Sequence, residues 1–185
     1  MESPEETFAR IMAENVELQE YSPTWPARFE EEKTRLLAVI PADLIHAIEH
    51  FGSTSIPGLA AKPIIDMLVE VSDAERARTV FPGVLGPQGY DCIPQPEAEE
   101  QIYLCIRRDN AGRRTHHLHI GTPGFKASEQ AFRDILLAHP EAAAEYGRLK
   151  RRLAREYHND RLGYTEAKTE FIRRIMEQLS GPQNG

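Results

Sequence analysis

Phe51-Gly52-Ser53 opens a run of small residues that ends at Gly58, and Ile65-Asp66-Met67 begins twelve residues after Ser53. A turn of small residues lets backbone amides and a hydroxyl face a phosphate with no side chain between. A carboxylate on the following strand can then hold a divalent cation against that phosphate. Asp66 and Glu70 are the only interruptions in the apolar stretch Ile64 to Val71. A buried carboxylate there costs free energy unless it is paired or metal-bound, which marks Asp66 as the catalytic and metal-binding candidate. The plain alternative is a tight turn followed by an aspartate at a strand end.

Thr115-His116-His117-Leu118-His119-Ile120 supplies the second group. Side chains alternate along a strand, so His117 and His119 share one face while His116 and Leu118 share the other. Two imidazoles so placed can chelate a transition metal or contact phosphate; otherwise they are hydrogen-bonded surface histidines. Cations form the third group. Lys62 and Arg114 border the two motifs and suit phosphate binding. Arg107, Arg108 and Arg113 read as a solvated hairpin turn. Arg148, Lys150, Arg151, Arg152 and Arg155 read as the exposed face of a helix. Cys92 and Cys105 read as strand core residues.

These groups need a sheet to carry them. Val16 to Tyr21 is a short strand candidate, and a helix is expected from about Pro26 to Val39, with Phe29, Leu36 and Leu37 inward and Glu30 to Lys33 outward. Strands are expected at Ile45–Phe51, Ile64–Val71, Gly89–Ile93, Gln101–Arg108 and Arg114–Ile120. A helix over Asp73–Val80 should stop at Pro82-Gly83. From Lys126 onward the chain is helical, with stripes at Phe132/Ile135/Leu136, Tyr146/Leu149/Leu153 and Tyr164/Ala167/Phe171/Ile172/Ile175/Leu179. Lys168 sits at the edge of the third stripe, where the last helix would close one wall of the cleft. Strands in one block and helices in another indicate an α+β fold, a mixed sheet with flanking helices and a helical last third.

The segments Tyr21 to Pro26 (YSPTWP), Ile48 to Asp66 (IEHFGSTSIPGLAAKPIID), His117 to His119 and Tyr164 to Ile172 (YTEAKTEFI) closely resemble the GrpB family, over about residues 16–179. That resemblance implies a branch of the nucleotidyltransferase superfamily, whose small mixed sheet carries a Gly-Ser turn and metal-binding carboxylates on neighbouring strands. Some relatives are fused to dephospho-CoA kinase, which implies nucleotide or cofactor metabolism. The superfamily pattern has a second carboxylate two residues after the first, and here that place is Leu68. Glu70 is four residues along, about 13 Å rather than about 6.6 Å, so it cannot simply replace it. The strand that would carry a third carboxylate resembles the one with His117 and His119.

The chain of 185 residues carries a formal net charge of -7, 41% hydrophobic and 28% charged residues, as an ordinary globular domain does. The expected organisation is an extension over residues 1–15 with Phe8, Ile11 and Met12 as a weak stripe, one domain over 16–180, and a loose tail over 181–185. No apolar run approaches the roughly 20 residues of a membrane span, and the acidic balance disfavours broad nucleic-acid binding. An acidic, mixed N-terminus makes the cytoplasm the default compartment. The expected function is a nucleotidyltransferase-type enzyme. Gly52, Ser53, Thr54, Lys62, Arg114 and Lys168 would bind a nucleoside triphosphate. Asp66, His117 and His119 would hold magnesium or manganese, with zinc also open, and align a small-molecule or other acceptor. The alternatives are an inactive nucleotide-binding or regulatory module and a His-x-His metal-dependent hydrolase.

Overall fold

The computed structural model describes residues 15–95 and 100–179. The Phe8/Ile11/Met12 stripe and the 181–185 tail lie outside them. Helix α1 (Trp25–Val39) precedes strands β1 (Ile45–Phe51) and β2 (Ile65–Val71). Helix α2 (Ala74–Leu85) leads into β3 (Tyr90–Pro94), β4 (Gln101–Arg108) and β5 (Arg114–Gly121). Helices α3 (Ala127–Ala138), α4 (Pro140–Glu156), α5 (Arg161–Glu166) and α6 (Thr169–Leu179) follow. The strands form one five-stranded mixed sheet in the order β1-β2-β5-β4-β3. The β2–β5 pair is parallel and the other pairs are antiparallel.

The parallel pair positions the site. Its register sets Asp66 opposite His117 and Leu68 opposite His119, with Phe51 of β1 on the other side of Asp66. Ile65, Met67, Val69 and Val71 of β2 and Leu118 and Ile120 of β5 pack with Trp25, Phe29 and Leu36 of α1 and Phe81 and Leu85 of α2. Alternation therefore turns Asp66, Leu68, His117 and His119 to the opposite face. A second core joins Ile56 and Leu59, just after the Gly-Ser turn, to Phe132, Leu136, Tyr146, Phe171 and Ile175 of the C-terminal helices. Those helices hold the turn in place. Glu70, the other acid of β2, accepts a hydrogen bond from Gly124 N at 2.7 Å and fixes the loop after β5.

Several elements differ from expectation for local reasons. Val16–Tyr21 forms no strand of the sheet: Gln19 and Ala61 make an isolated antiparallel bridge, and Val16 N donates to His158 O at 2.8 Å. The buried line of α1 is Trp25, Phe29, Glu32 and Leu36, so Leu37 falls one position off it and is 49% exposed. Glu32 is buried because it accepts hydrogen bonds from Tyr90 Oη at 2.6 Å, Arg35 at 2.7 Å and Arg107 at 2.6 Å. Arg107 is thus the partner of a buried carboxylate rather than a solvated turn residue; Arg113, paired with Asp109 in the turn, is exposed. Helix α2 continues through Pro82 to Leu85. Proline cannot donate to the carbonyl of Arg78, and the Tyr103 hydroxyl does so instead at 2.9 Å. Cys92 and Cys105, cross-strand neighbours on β3 and β4, are joined as a disulfide. The third helical stripe is split, with Lys168 between α5 and α6.

Candidate metal centre

Asp66, His117 and His119 converge. Asp66 Oδ1 lies 3.1 Å from His117 Nδ1 and 3.8 Å from His119 Nε2. One ligand atom from each residue falls within 4.8 Å of the other two. Two ligands bonded to one first-row metal at about 2.1 Å sit roughly 3.0–3.4 Å apart, so the spacing fits an ion between them. His116 points away, into the neighbourhood of Glu32, Arg28 and Arg107, and burial there lowers its pKa to about 4.

The protonation states also fit. Burial alone would raise the Asp66 pKa, but the hydrogen bond from His117 and the nearby His119 ring outweigh it and hold the group well below the usual carboxylate range. Burial lowers the His117 pKa although Asp66 opposes it. An ionised carboxylate and a neutral imidazole are the forms a metal takes. His117 Nε2 and His119 Nδ1 are buried with no hydrogen-bond partner.

Gly52 makes the close approach of the turn possible. Its φ is 70°, and a Cβ there would stand 2.7 Å from Asp66 Oδ2. Any side chain would therefore strain the backbone and push on the carboxylate. A cavity of about 160 Å³ adjoins the triad, lined by Ser53, Asp66, His117 and a set of cations. A second cavity, about 400 Å³, lies behind the turn and shares Ser53; Phe51, Gly52, Phe132 and Tyr146 line it.

The smaller cavity brings together Lys62 and Lys168 with two cations that the motifs did not reveal, Lys150 and Arg161. Lys150 is 3% exposed. Its place in the Tyr146/Leu153 stripe, four residues after the first and three before the second, was the sequence signal; the basic run around it concealed this. Arg148, Arg152 and Arg155 are exposed as expected. Lys62 Nζ and Lys168 Nζ lie over the ring of Tyr164, 5.6 Å and 4.3 Å from its centroid. Burial, then the charges of Arg161 and Lys168, lower Lys62 to about 7. Burial, then Arg161, lower Lys168 to about 8. Thr54 lines the cavity too, but its Oγ1 is engaged with His50 Nε2 at 3.0 Å and Ile64 O at 3.3 Å. Arg114 is buried at the start of β5 and outside the lining, near enough to act electrostatically on Lys62 and His117.

Among the described residues no helix is long and apolar enough to cross a membrane. A family model described as GrpB protein matches residues 15–178. YqkA of Bacillus subtilis is 41% identical over 173 residues, covering 92% of this chain and 49% of that relative, so the chain spans about half its length. The glutamate-rich protein GrpB of Alkalihalophilus pseudofirmus is 33% identical, covering 86% of this chain and 92% of the relative. The crystal structure of the conserved protein GrpB from Enterococcus faecalis superposes with a TM-score of 0.77 at 32% identity, over 88% of this chain and 96% of that one. With the matched region running from the first bridge through the last helix, the chain belongs to the GrpB family.

Proposed function

We propose that the protein is a divalent-metal-dependent transferase of nucleotidyltransferase type. The observation that carries this reading is the convergence of Asp66, His117 and His119 beneath the Gly52–Ser53 turn, beside a cationic cavity. Two imidazoles and one carboxylate suit manganese or zinc better than magnesium, which prefers oxygen ligands. The ion would supply Lewis-acid neutralisation of phosphate oxygens and hold the attacked group in line. Gly52 keeps the turn against Asp66. Ser53, Lys62 and Lys168 bind phosphate oxygens, and Arg114 adds positive potential. Thr54, by its two hydrogen bonds, shapes the turn and places Ser53. The cavity behind the turn has room for the remainder of the nucleotide or for the acceptor.

A second reading is a nucleotide-binding module without transfer. Leu68, in the place of a second carboxylate, favours it. The hydrolase alternative uses the same triad and differs in its product. Calorimetric titration of ATP, crossed with manganese, zinc and magnesium, tests the site. Nucleotide binding should tighten with manganese or zinc, and Asp66→Asn should abolish the metal-dependent part while keeping the fold. Unchanged binding in that variant at matched metal would remove the proposal. Pyrophosphate release with an acceptor present separates transfer from binding alone.

A further inference from the structure

We propose that Lys62, Lys150 and Lys168 form a metal-independent site for a polyphosphate anion and take the charge-neutralising place of a second metal ion. The second-metal role rests on the transferase reading; the anion site rests on observations of its own.

Lys150 is the first of these. Its side chain comes from the middle of α4 and is buried in the cavity wall, yet Nζ has no hydrogen-bond partner. It lies over the face of the Tyr146 ring, 5.2 Å from the centroid. An ammonium taken out of water without a hydrogen-bond partner is destabilising. A cation–π contact offsets only part of that cost. Tyr146 and Leu153 show that an apolar residue fits this helix face.

The second observation is the company Lys150 keeps. Lys62 and Lys168 flank Tyr164 at the same cavity, and Arg161 lines it as well. Among the described residues the one carboxylate in the lining is Asp66. The three lysines, gathered from the loop before β2, from α4 and from the α5–α6 junction, repel one another at short range. A ligand of several negative charges relieves both the repulsion and the unpartnered ammonium. Lysine binds phosphate as a mobile point charge with three donors. The small volume, about 160 Å³, suits phosphate groups alone rather than a whole nucleotide.

The third observation is what β2 lacks. Leu68 is fully buried, and Glu70 is committed to Gly124 N. Neither can hold a second cation beside Asp66, so the positive charge that a polyphosphate needs comes from the lysines.

Calorimetry with sodium tripolyphosphate decides the matter, on the metal-stripped full chain in EDTA. Wild type should show one saturable site. Lys150→Met should weaken it about tenfold or more, the loss of one charge-assisted contact. Its fold is checked by circular dichroism. Lys168→Met should give a similar loss and carries the test should the first variant not fold. Arg152→Gln, on the exposed face of α4, should bind as wild type. Asp66→Asn removes a negative charge from the lining and should bind tripolyphosphate more tightly while losing metal, which separates this site from the metal triad. Orthophosphate should bind more weakly than tripolyphosphate, and ATP in EDTA should compete with it. No saturable binding in EDTA, full affinity in the folded lysine variants, or orthophosphate binding as tightly as tripolyphosphate would overturn the proposal. If tripolyphosphate binds while Asp66→Asn leaves metal-dependent ATP binding unchanged, only the transferase reading falls.

Discussion

Asp66 keeps its charge in an apolar strand because His117 hydrogen-bonds to it and His119 lies close by, whereas Lys62 and Lys168 are buried beside other cations and lose part of theirs. The lysines give a pH dependence with a definite sign. The unfolded chain holds lysine protons up to about pH 10.4, while the folded protein releases them near 7 and 8. Between about pH 7 and pH 10 the unfolded state therefore binds more protons, and stability rises with pH. Urea titrations at pH 7 and pH 9.5 should show a higher midpoint at the higher pH. Saturating tripolyphosphate should flatten that difference by favouring the charged lysines. An equal or lower midpoint at pH 9.5 without ligand would show that the lysines are not desolvated as described. Gly52→Ala should cost about 1–3 kcal/mol, since it adds a side chain at positive φ and against Asp66. Its metal affinity should fall as well; chemical denaturation and metal titration measure the two effects. Asp66, His117 and His119 were legible because strand alternation and an acid in an apolar run are strong signals. Lys150 and Glu32 were not, because their surroundings come from elsewhere in the chain: the cavity that Lys62 and Lys168 also line for one, Tyr90 and Arg107 for the other.

At the scale of elements, the strands were legible wherever apolar alternation was clean, and their pairing was not. Nothing local to Ile65–Val71 or Arg114–Gly121 specifies that the two run parallel and adjacent, yet that register brings Asp66 to His117. Helix α2 shows the opposite failure. A proline normally ends a helix by removing a donor, but a tyrosine two strands later supplies one. The replacement donor has a measurable signature. Tyr103→Phe should destabilise by about 1 kcal/mol, because the Arg78 carbonyl loses its donor. In a Pro82→Ala background the restored backbone N–H can bond that carbonyl, so the same change should cost less. A double-mutant cycle in urea measures the coupling. Additive effects would mean that the hydroxyl does not stand in for the missing N–H. The split between α5 and α6 was hidden for a related reason: Tyr164, Phe171 and Ile175 keep helical spacing across a break that places Lys168 at the cavity.

For the whole molecule, two cores divide the work. One builds the sheet on α1 and α2, and the other fastens the Gly-Ser turn to the C-terminal helices. The α+β class follows from the order of strand and helix signals, but the meeting of α3, α4 and α6 with the turn depends on long-range packing that no local pattern encodes. The Cys92–Cys105 pair ties the edge strand β3 to β4 across a separation of 13 residues. Reduction should lower stability by up to about 3 kcal/mol, and a thermal melt with and without reductant should show it; identical melts would mean that the strand pairing alone sets the stability. The central claim is that β2 and β5 together hold a metal ion at the mouth of the cationic cavity. Anomalous diffraction from crystals grown with manganese and, separately, zinc tests it most directly. The expected result is one peak about 2.0–2.3 Å from Asp66, His117 and His119 donor atoms, absent in Asp66→Asn crystals grown the same way. A triad that stays vacant at millimolar metal, or a peak that survives the substitution unchanged, would contradict it.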